Sequence, residues 1–341
     1  MTPERPSTDD AIKIASDLLS CPVSSAVLVR GGRNNRIFCV TSANGNFALK
    51  FYPLGEDDNR FRLGREYKAL SFLRRHGIGE VPRPIARDDR RRCGAYEWIE
   101  GTPFDAVTET EVDALANFFI ALQELRDFEG ADQLVEASAG CLTLKVAADQ
   151  LQQRVQRLAA AVPAGSLVHE FVTEQLAPQA SRMIQDVRER AHRIKFDFDA
   201  TLARSKQALS PSDFGFHNIL RRPDGRLAFL DFEYFGWDDP AKAVADVMFH
   251  PGSALSAQLA EHYRNRVERA FSDGDPEFSL RLELMQPLVG LMWCVMLLNE
   301  LLPDRWAHRT FAGTEEPQTV VLARQLEKSR RLFGRLLACP L

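Results

Sequence analysis

The sequence lacks any CxxC pair: its six cysteines (Cys21, Cys39, Cys93, Cys141, Cys294 and Cys339) are scattered over 341 residues. That scatter excludes a zinc ribbon, argues against a disulfide framework and predicts a reducing compartment. The seven histidines show no metal-ligand spacing. No GxxxxGK[ST] occurs, so a P-loop fold is unsupported. There is no repeat and no low-complexity tract. Long hydrophobic runs are also missing. The longest, Pro287 to Leu298, lies between Gln286 and Asn299 and is far shorter than the ~20 residues of a membrane span. It predicts a buried core helix. The first ten residues are polar and partly acidic, without the basic-then-apolar pattern of a secretory leader, so a cytoplasmic protein with no membrane partner is expected.

An excess of charge of one sign is missing too. Lys and Arg number 43 against 47 Asp and Glu, a formal charge of −4, which does not suit a nucleic-acid partner. The one dense basic stretch, Arg87 to Arg92, is broken by Asp88 and Asp89 and reads as a solvated hairpin tip. No oligomer interface is assigned.

What is present is ordinary globular composition, 45% hydrophobic and 26% charged, in a length that suggests about two domains. Ser7 and Asp9 lead into an apolar stripe that predicts a short helix. Strands follow at Ala26–Arg30, Ile37–Thr41 and Phe47–Tyr52, with Asn44-Gly45 as a type I′ hairpin signal. A helix over Asn59–Arg75 and a hairpin around Arg87–Ile99 complete a mixed segment. After Gly101 helical periodicity dominates, except for a strand–turn–strand over Asn218–Phe232. The expected fold class is α+β: a small β-rich lobe over 1–100 and a larger, mainly helical lobe over 101–341.

Alternation on the third strand puts Ala48, Lys50 and Tyr52 on one face, a small residue and a lysine suited to roofing a flat base and reaching a phosphate. Glu66 falls within the apolar stripe of the next helix, where a carboxylate needs a partner, and Lys50 is the natural one. Gly31-Gly32 in the first strand loop could bring backbone amides to a phosphate, although a plain turn explains it equally. The richest segment is Leu209 to Leu220 with Leu227 to Glu233. Phosphoryl transfer needs an acceptor for the substrate hydroxyl proton, hard oxygen ligands for Mg²⁺ and charge neutralisation at the phosphates. Asp213 can supply the first, Asn218 and Asp231 the second, and Lys50 the third.

The stretch Ser212-Asp213 to Leu220 with Leu230-Asp231-Phe232-Glu233, together with Phe47 to Lys50, Arg65-Glu66 and Asp238-Asp239-Pro240 to Asp246, resembles the aminoglycoside phosphotransferase and choline kinase superfamily. The resemblance covers most of the chain. It implies a protein-kinase-like two-lobed fold and a kinase using ATP and Mg²⁺ on a small-molecule hydroxyl. On this likeness Asp213 is the catalytic base, Asn218 and Asp231 are magnesium ligands, and Lys50 with Glu66 holds the phosphates. Tyr96 to Gly101 resembles the family's hinge, with backbone groups near Glu97 and Ile99 on the adenine edge. The chain departs from the family at Pro211-Ser212, where His-Gly usually precedes the Asp, and at Glu233, where a second Asp is common. Asp246 would anchor the catalytic loop through backbone hydrogen bonds.

Asp239-Pro240 reads as a helix start. For the acceptor, Asp238, Tyr234, Phe235, Trp237, Trp293, Asn299, Glu300 and Trp306 offer aromatic planes and polar groups for a sugar or, through cation–π contact, an amine; Trp293 and much of this set read more readily as core, and Asp238 equally as a solvated loop residue. A sugar, amino sugar or amino alcohol is the expected acceptor. The alternatives are an aminoglycoside-resistance kinase, which would need an acidic groove, and a nucleotide-binding pseudokinase.

Overall fold

The computed structural model describes residues 5–29, 34–53, 61–253 and 255–338. In chain order these form α1 (Thr8–Leu19), β1 (Val23–Val29), β2 (Arg36–Ser42), β3 (Gly45–Phe51), α2 (Arg62–Arg75), β4 (Pro84–Asp88) and β5 (Cys93–Glu97). Next come α3 (Glu109–Ala121), α4 (Leu144–Ala161), α5 (Leu167–Glu170), α6 (Ala177–Arg193), β6 (Ala208–Ser210), β7 (Ile219–Arg221), β8 (Leu227–Phe229) and β9 (Gly236–Asp238). The last part is helical: α7 (Pro240–Phe249), α8 (Ala257–Ser272), α9 (Phe278–Met296), α10 (Pro303–Ala312) and α11 (Gln318–Ala338). The result is the protein-kinase-like α+β class expected, and the chain divides into two compact units.

The first unit comprises Met1–Phe104, Asn218–Phe235 and Pro303–Pro317. Its sheet runs β1-β2-β3-β5-β4, and every pairing is antiparallel. α1 starts on a capping box: Ser7 Oγ accepts from Asp10 N–H at 3.1 Å and Asp10 accepts back from Ser7 N–H at 2.8 Å. Its Ala11 and Ala15 pack with Phe38, Val40, Leu49 and Phe51 on one face of the sheet, where Phe311 of α10 joins them. Alternation therefore sends Lys50 to the opposite face.

The β2–β3 turn differs from the expected type I′ at Asn44-Gly45. Ser42 pairs with Gly45, so Ala43 and Asn44 are the turn residues, and only Gly45, with φ of 106°, is left-handed. A type I turn closed by a left-handed glycine serves the same hairpin. The β7–β8 hairpin has the expected Pro223-Asp224-Gly225 turn, and it bonds to this unit through Phe229 N–H to Glu80 O (2.8 Å) and the Thr102–Arg221 bridge.

The second unit comprises Asp105–His217, Gly236–Leu302 and Gln318–Leu341. α9 is its core, packed on α4, α7 and α11. The helix begins well before Pro287, and Phe278–Leu301 is long and apolar enough to cross a membrane by length and composition. Of its apolar window, 78% is buried inside the protein, so its apolar surface is spent on packing. α7 opens as expected, with Asp239 capping Ala241 N–H at 2.8 Å. The same carboxylate accepts from Arg281 Nε at 2.7 Å, and Arg281 also pairs with Asp275 at 2.8 Å. β6 and β9 form a two-stranded sheet that periodicity did not announce, because three residues are too few for alternation to register.

Gly236 starts β9 where Trp237 N–H donates to Val135 O and Ala137 N–H donates to Trp237 O. A Cβ at this position would lie 2.3 Å from Val135 O and 2.6 Å from Ala137 N. Since both obstacles are backbone, Gly236→Ala is expected to lower stability by about 2–3 kcal/mol. A urea unfolding midpoint equal to that of the wild type would contradict it.

Candidate active site

Within the first unit, β3 and α2 bring Lys50 and Glu66 together as expected, with Lys50 Nζ 2.7 Å from Glu66 Oε2. Glu66 lies among the buried Leu63, Ala69, Leu70 and Leu73 of α2. It also accepts from Tyr52 Oη at 2.5 Å and from Phe232 N–H at 3.3 Å. Tyr52 is in turn 2.8 Å from Tyr96 Oη, so the polar face of β3 and β5 is a connected network. Such a buried carboxylate is stable because three donors, Lys50 Nζ, Tyr52 Oη and Phe232 N–H, meet it.

The β7–β8 hairpin delivers the other members. Leu230 N–H donates to Asn218 O at 2.8 Å, which sets Asn218 across the hairpin from the residue preceding Asp231. Asp231 Oδ1 lies 2.7 Å from Lys50 Nζ, with the side chain 28% exposed. Its φ of 64° is left-handed for a residue that is not glycine, a strain that persists only where the surroundings fix it. Here the Lys50 ion pair supplies that fixing.

Glu233, where the family often has Asp, is fully buried. It accepts from Asn35 Nδ2 at 2.6 Å and lies 3.7 Å from Arg62 and 3.9 Å from Lys50. Burial and the neighbouring Asp231 carboxylate push it up to about 7. Burial works against the Lys50 charge, but Asp231, Glu66 and Glu233 outweigh it and hold the ammonium well above its ordinary range.

This cluster fits a divalent cation. Carboxylate oxygens of Glu66, Asp231 and Glu233 lie within 4.8 Å of one another. Glu233 Oε1 and Asn35 Oδ1 are buried oxygens with no hydrogen-bond partner among the described residues. Hard oxygen donors in excess over the two local cations, Lys50 and Arg62, suit Mg²⁺.

The other expected nucleotide residues are placed as follows. Ala48 is on the Lys50 face of β3, opposite Tyr96. Glu97 ends β5, its N–H donated to Arg83 O at 2.8 Å, and Ile99 follows just beyond the strand. Gly32 lies outside the described residues.

Within the second unit, Asp213 sits on the loop after β6. Ser212 has φ of 69°, in the region that favours the glycine usual in the family. Ser210 Oγ accepts from Ser212 N–H (3.1 Å), and Ser212 Oγ donates to Ser138 O (3.2 Å). Asp213 Oδ1 is 3.1 Å from Nε2 of both His217 and His250. The two imidazoles stack, with centroids 4.2 Å apart and planes within 1°. Gly252 N–H donates to His250 Nδ1 at 2.8 Å, which places the imidazole proton on Nε2, facing Asp213. Burial pulls His250 down and keeps it neutral. Burial alone would push Asp213 up, but the hydrogen bonds from His217 and His250 hold it well below the usual carboxylate range.

His250 and His217 are the functional candidates that sequence reasoning missed. His250 follows α7, far along the chain from Asp213, and no spacing or periodicity links them. Asp246 is near but acts differently from the expectation: it accepts from Lys242 (2.6 Å) and from Trp293 Nε1 (2.9 Å), not from loop backbone. Trp293 packs edge-on against His250 at 4.1 Å, so Asp246 braces the loop through two side chains.

The expected acceptor residues are placed as follows. Tyr234, Phe235 and Trp306 belong to the first unit, and Trp237, Trp293, Asn299 and Glu300 to the second. Trp237 is buried, with Nε1 donating to Ala131 O at 3.1 Å. Glu300 is buried and its carbonyl accepts from Gln318 at 2.7 Å, while Asn299, half-buried, opens the turn before α10. Asp238 is fully buried rather than solvated. It accepts from Cys141 N–H and Asp239 N–H, both at 2.8 Å, and sits 3.3 Å from Lys242.

Residues 25–278 match the sequence profile of the phosphotransferase enzyme family. Among solved structures, the fold is similar to spectinomycin phosphotransferase APH(9)-Ia in complex with ADP and spectinomycin (TM-score 0.62, 14% identity, 94% of this chain and 99% of that one). It is also similar to choline kinase LicA from Streptococcus pneumoniae (0.59, 15%, 95% and 96%) and to the Plasmodium vivax ethanolamine kinase (0.58, 12%, 92% and 83%). Among curated proteins none shows significant sequence similarity.

Lys50 is charged throughout the working range, since its raised pKa keeps its contribution fully present below its unfolded value of roughly 10.4. The acid-side dependence therefore comes from its partners. Lys50→Met strands three carboxylates, and is expected to cost about 3–5 kcal/mol at pH 8. The loss should shrink towards pH 5, as Glu233, pushed up to about 7, takes up a proton and no longer needs a counter-charge. Urea unfolding at both pH values checks this, and an equal loss at both would refute it.

Proposed function

The chain belongs to the phosphotransferase enzyme family, and we propose that it transfers the γ-phosphoryl group of ATP, with Mg²⁺, to a hydroxyl of a small molecule. The observation that carries this reading is Lys50 Nζ, held at 2.7 Å by Glu66 and at 2.7 Å by Asp231. A buried ammonium fixed by one structural carboxylate and touching a second, more exposed one is the arrangement needed to bind phosphates beside a metal.

In this reading Lys50 moves its hydrogen bond from Asp231 to the nucleotide phosphates while Glu66 keeps it in place. Asp231 and Asn218 supply oxygens to Mg²⁺, with Glu233 as a buried brace held by Asn35 and Arg62. The ion, when bound, neutralises charge on the phosphate oxygens. Ala48 leaves room for the purine, and backbone groups near Glu97 and Ile99 meet its edge. Asp213 accepts the hydroxyl proton as the acceptor oxygen bonds to the γ-phosphorus and the bond to the β,γ-bridging oxygen breaks, releasing ADP.

A depressed pKa makes Asp213 a weak base, which suits a loose transition state in which the proton leaves late. His250, its proton fixed on Nε2, positions the carboxylate. The relatives' names, with spectinomycin, choline and ethanolamine kinases among them, support a small-molecule acceptor.

The test is ADP release over a panel of sugars, amino sugars, amino alcohols and aminoglycosides. Acceptor-stimulated turnover is expected, with Asp213→Asn lowering kcat about 10²–10⁴-fold; turnover that survives that change would sink the base assignment. Stabilisation by Mg-ATP without turnover of any acceptor would point to a pseudokinase. His250→Leu, which has no donor, is expected to lower kcat and to shift the acid limb of the pH profile upwards. With one hydrogen bond gone the Asp213 carboxyl rises, and the ionised base is lost at a higher pH. An acid limb unchanged in His250→Leu would refute the positioning role.

A further inference from the structure

We infer that Tyr52 and Tyr96 are positioning residues for the phosphate lysine. Their hydroxyls form a relay from β5, the strand that ends at the expected adenine edge, to the carboxylate that holds Lys50. This rests on the kinase reading above and deepens it by naming what keeps its lysine in place for phosphates.

The relay has one direction. Tyr52 Oη donates to Glu66 Oε2 at 2.5 Å, and the same oxygen meets Lys50 Nζ at 2.7 Å. A phenol carries a single proton, and that of Tyr52 is spent on Glu66. In the 2.8 Å contact between the two hydroxyls, Tyr96 is therefore the donor. Hydrogen bonds arranged head to tail polarise one another, so donation from Tyr96 strengthens the bond that Glu66 receives. Both tyrosines are 4% exposed, which keeps water from competing.

Two buried tyrosines that satisfy each other are commonly no more than core. Two observations separate this pair from that case. Tyr52 meets Lys50 twice, through the shared Glu66 oxygen and across its ring, whose centroid lies 5.2 Å from Nζ. The sheet also makes room for the Tyr96 ring beside the lysine. Gly94 pairs with Lys50 in the register of β3 and β5. A Cβ on Gly94 would lie 2.7 Å from Tyr96 Oη and 2.8 Å from its Cε2. A side chain there would displace the Tyr96 hydroxyl, so the absence of one is what lets the ring lean back towards Tyr52.

The consequence concerns one end of the nucleotide. In the kinase reading Lys50 exchanges Asp231 for a phosphate without leaving Glu66, and Glu66 Oε2 stays put because a second donor, Tyr52, fixes it. The relay thus acts on phosphates and leaves the base alone. Loss of a hydroxyl should weaken ATP and spare adenosine, a split that a merely structural role would not produce.

The test is the dissociation constant of the full chain for adenosine, for ATP in EDTA and for Mg-ATP. It is measured for wild type, Tyr52→Phe, Tyr96→Phe and the double variant. Tyr52→Phe should bind ATP about tenfold more weakly with or without magnesium, the scale of one hydrogen bond to a charged group. Tyr96→Phe should lose less, about threefold, since it only strengthens its neighbour's bond. The double variant should match Tyr52→Phe, because Tyr96 acts through Tyr52. Adenosine affinity should be that of the wild type in all three, which also shows that the variants are folded.

Unchanged ATP affinity in Tyr52→Phe, or an equal loss for adenosine, overturns the inference and returns the pair to the core. A loss seen only with magnesium overturns it as well, by placing the effect at the metal carboxylates and not at Lys50. Losses that add in the double variant refute the relay. A wild-type chain that binds neither adenosine nor ATP overturns the kinase reading itself.

Discussion

A lysine surrounded by three carboxylates governs the first unit. Lys50 could sit buried on β3 only if the sheet face opposite the leucine and phenylalanine core carried matching acids, and Glu66, Asp231 and Glu233 provide them. Each of the three comes from a place chosen by local structure: one from the stripe of α2, two from the end of the β7–β8 hairpin. The cost of burying those acids is met by Tyr52, Phe232 N–H, Asn35 and Arg62. Removing the ammonium would leave Arg62 to balance three carboxylates, so the burial of this cluster rests chiefly on one side chain.

The second unit solves a different problem, the orientation of a single carboxylate on a loop. The family's usual histidine is replaced by Pro211, and its glycine by Ser212. The backbone still adopts the left-handed turn that glycine would take freely, with Ser210 and Ser138 tying Ser212 into it. The missing hydrogen-bond donor is supplied from after α7, where Gly252 fixes the tautomer of His250 and Trp293 and Asp246 back its ring. His250 thus orients the Asp213 carboxylate from outside its own loop. A metal at Asp213, His217 and His250 would be a poor fit, because Gly252 N–H already occupies the nitrogen that a ligating imidazole would need to protonate.

For Trp237, Trp293 and Phe235 the sequence left two readings open, the wall of a substrate site or the core. In the fold Phe235 and Trp237 are core, and the indole N–H groups of Trp237 and Trp293 meet Ala131 O and Asp246.

Much of the site was legible in the sequence because its chemistry sits on regular elements. Alternation placed Lys50 opposite the core, the 3.6-residue period placed Glu66 among leucines, and the Pro223-Asp224-Gly225 turn joined Asn218 to Asp231 across a hairpin. These are local rules, and they operate before any long-range contact forms. Only the tertiary structure could decide that Asn35 meets Glu233 or that His250 meets Asp213. Such contacts depend on how separately folded segments pack, and the energy that selects them is collective burial rather than any property of the residues nearby in sequence.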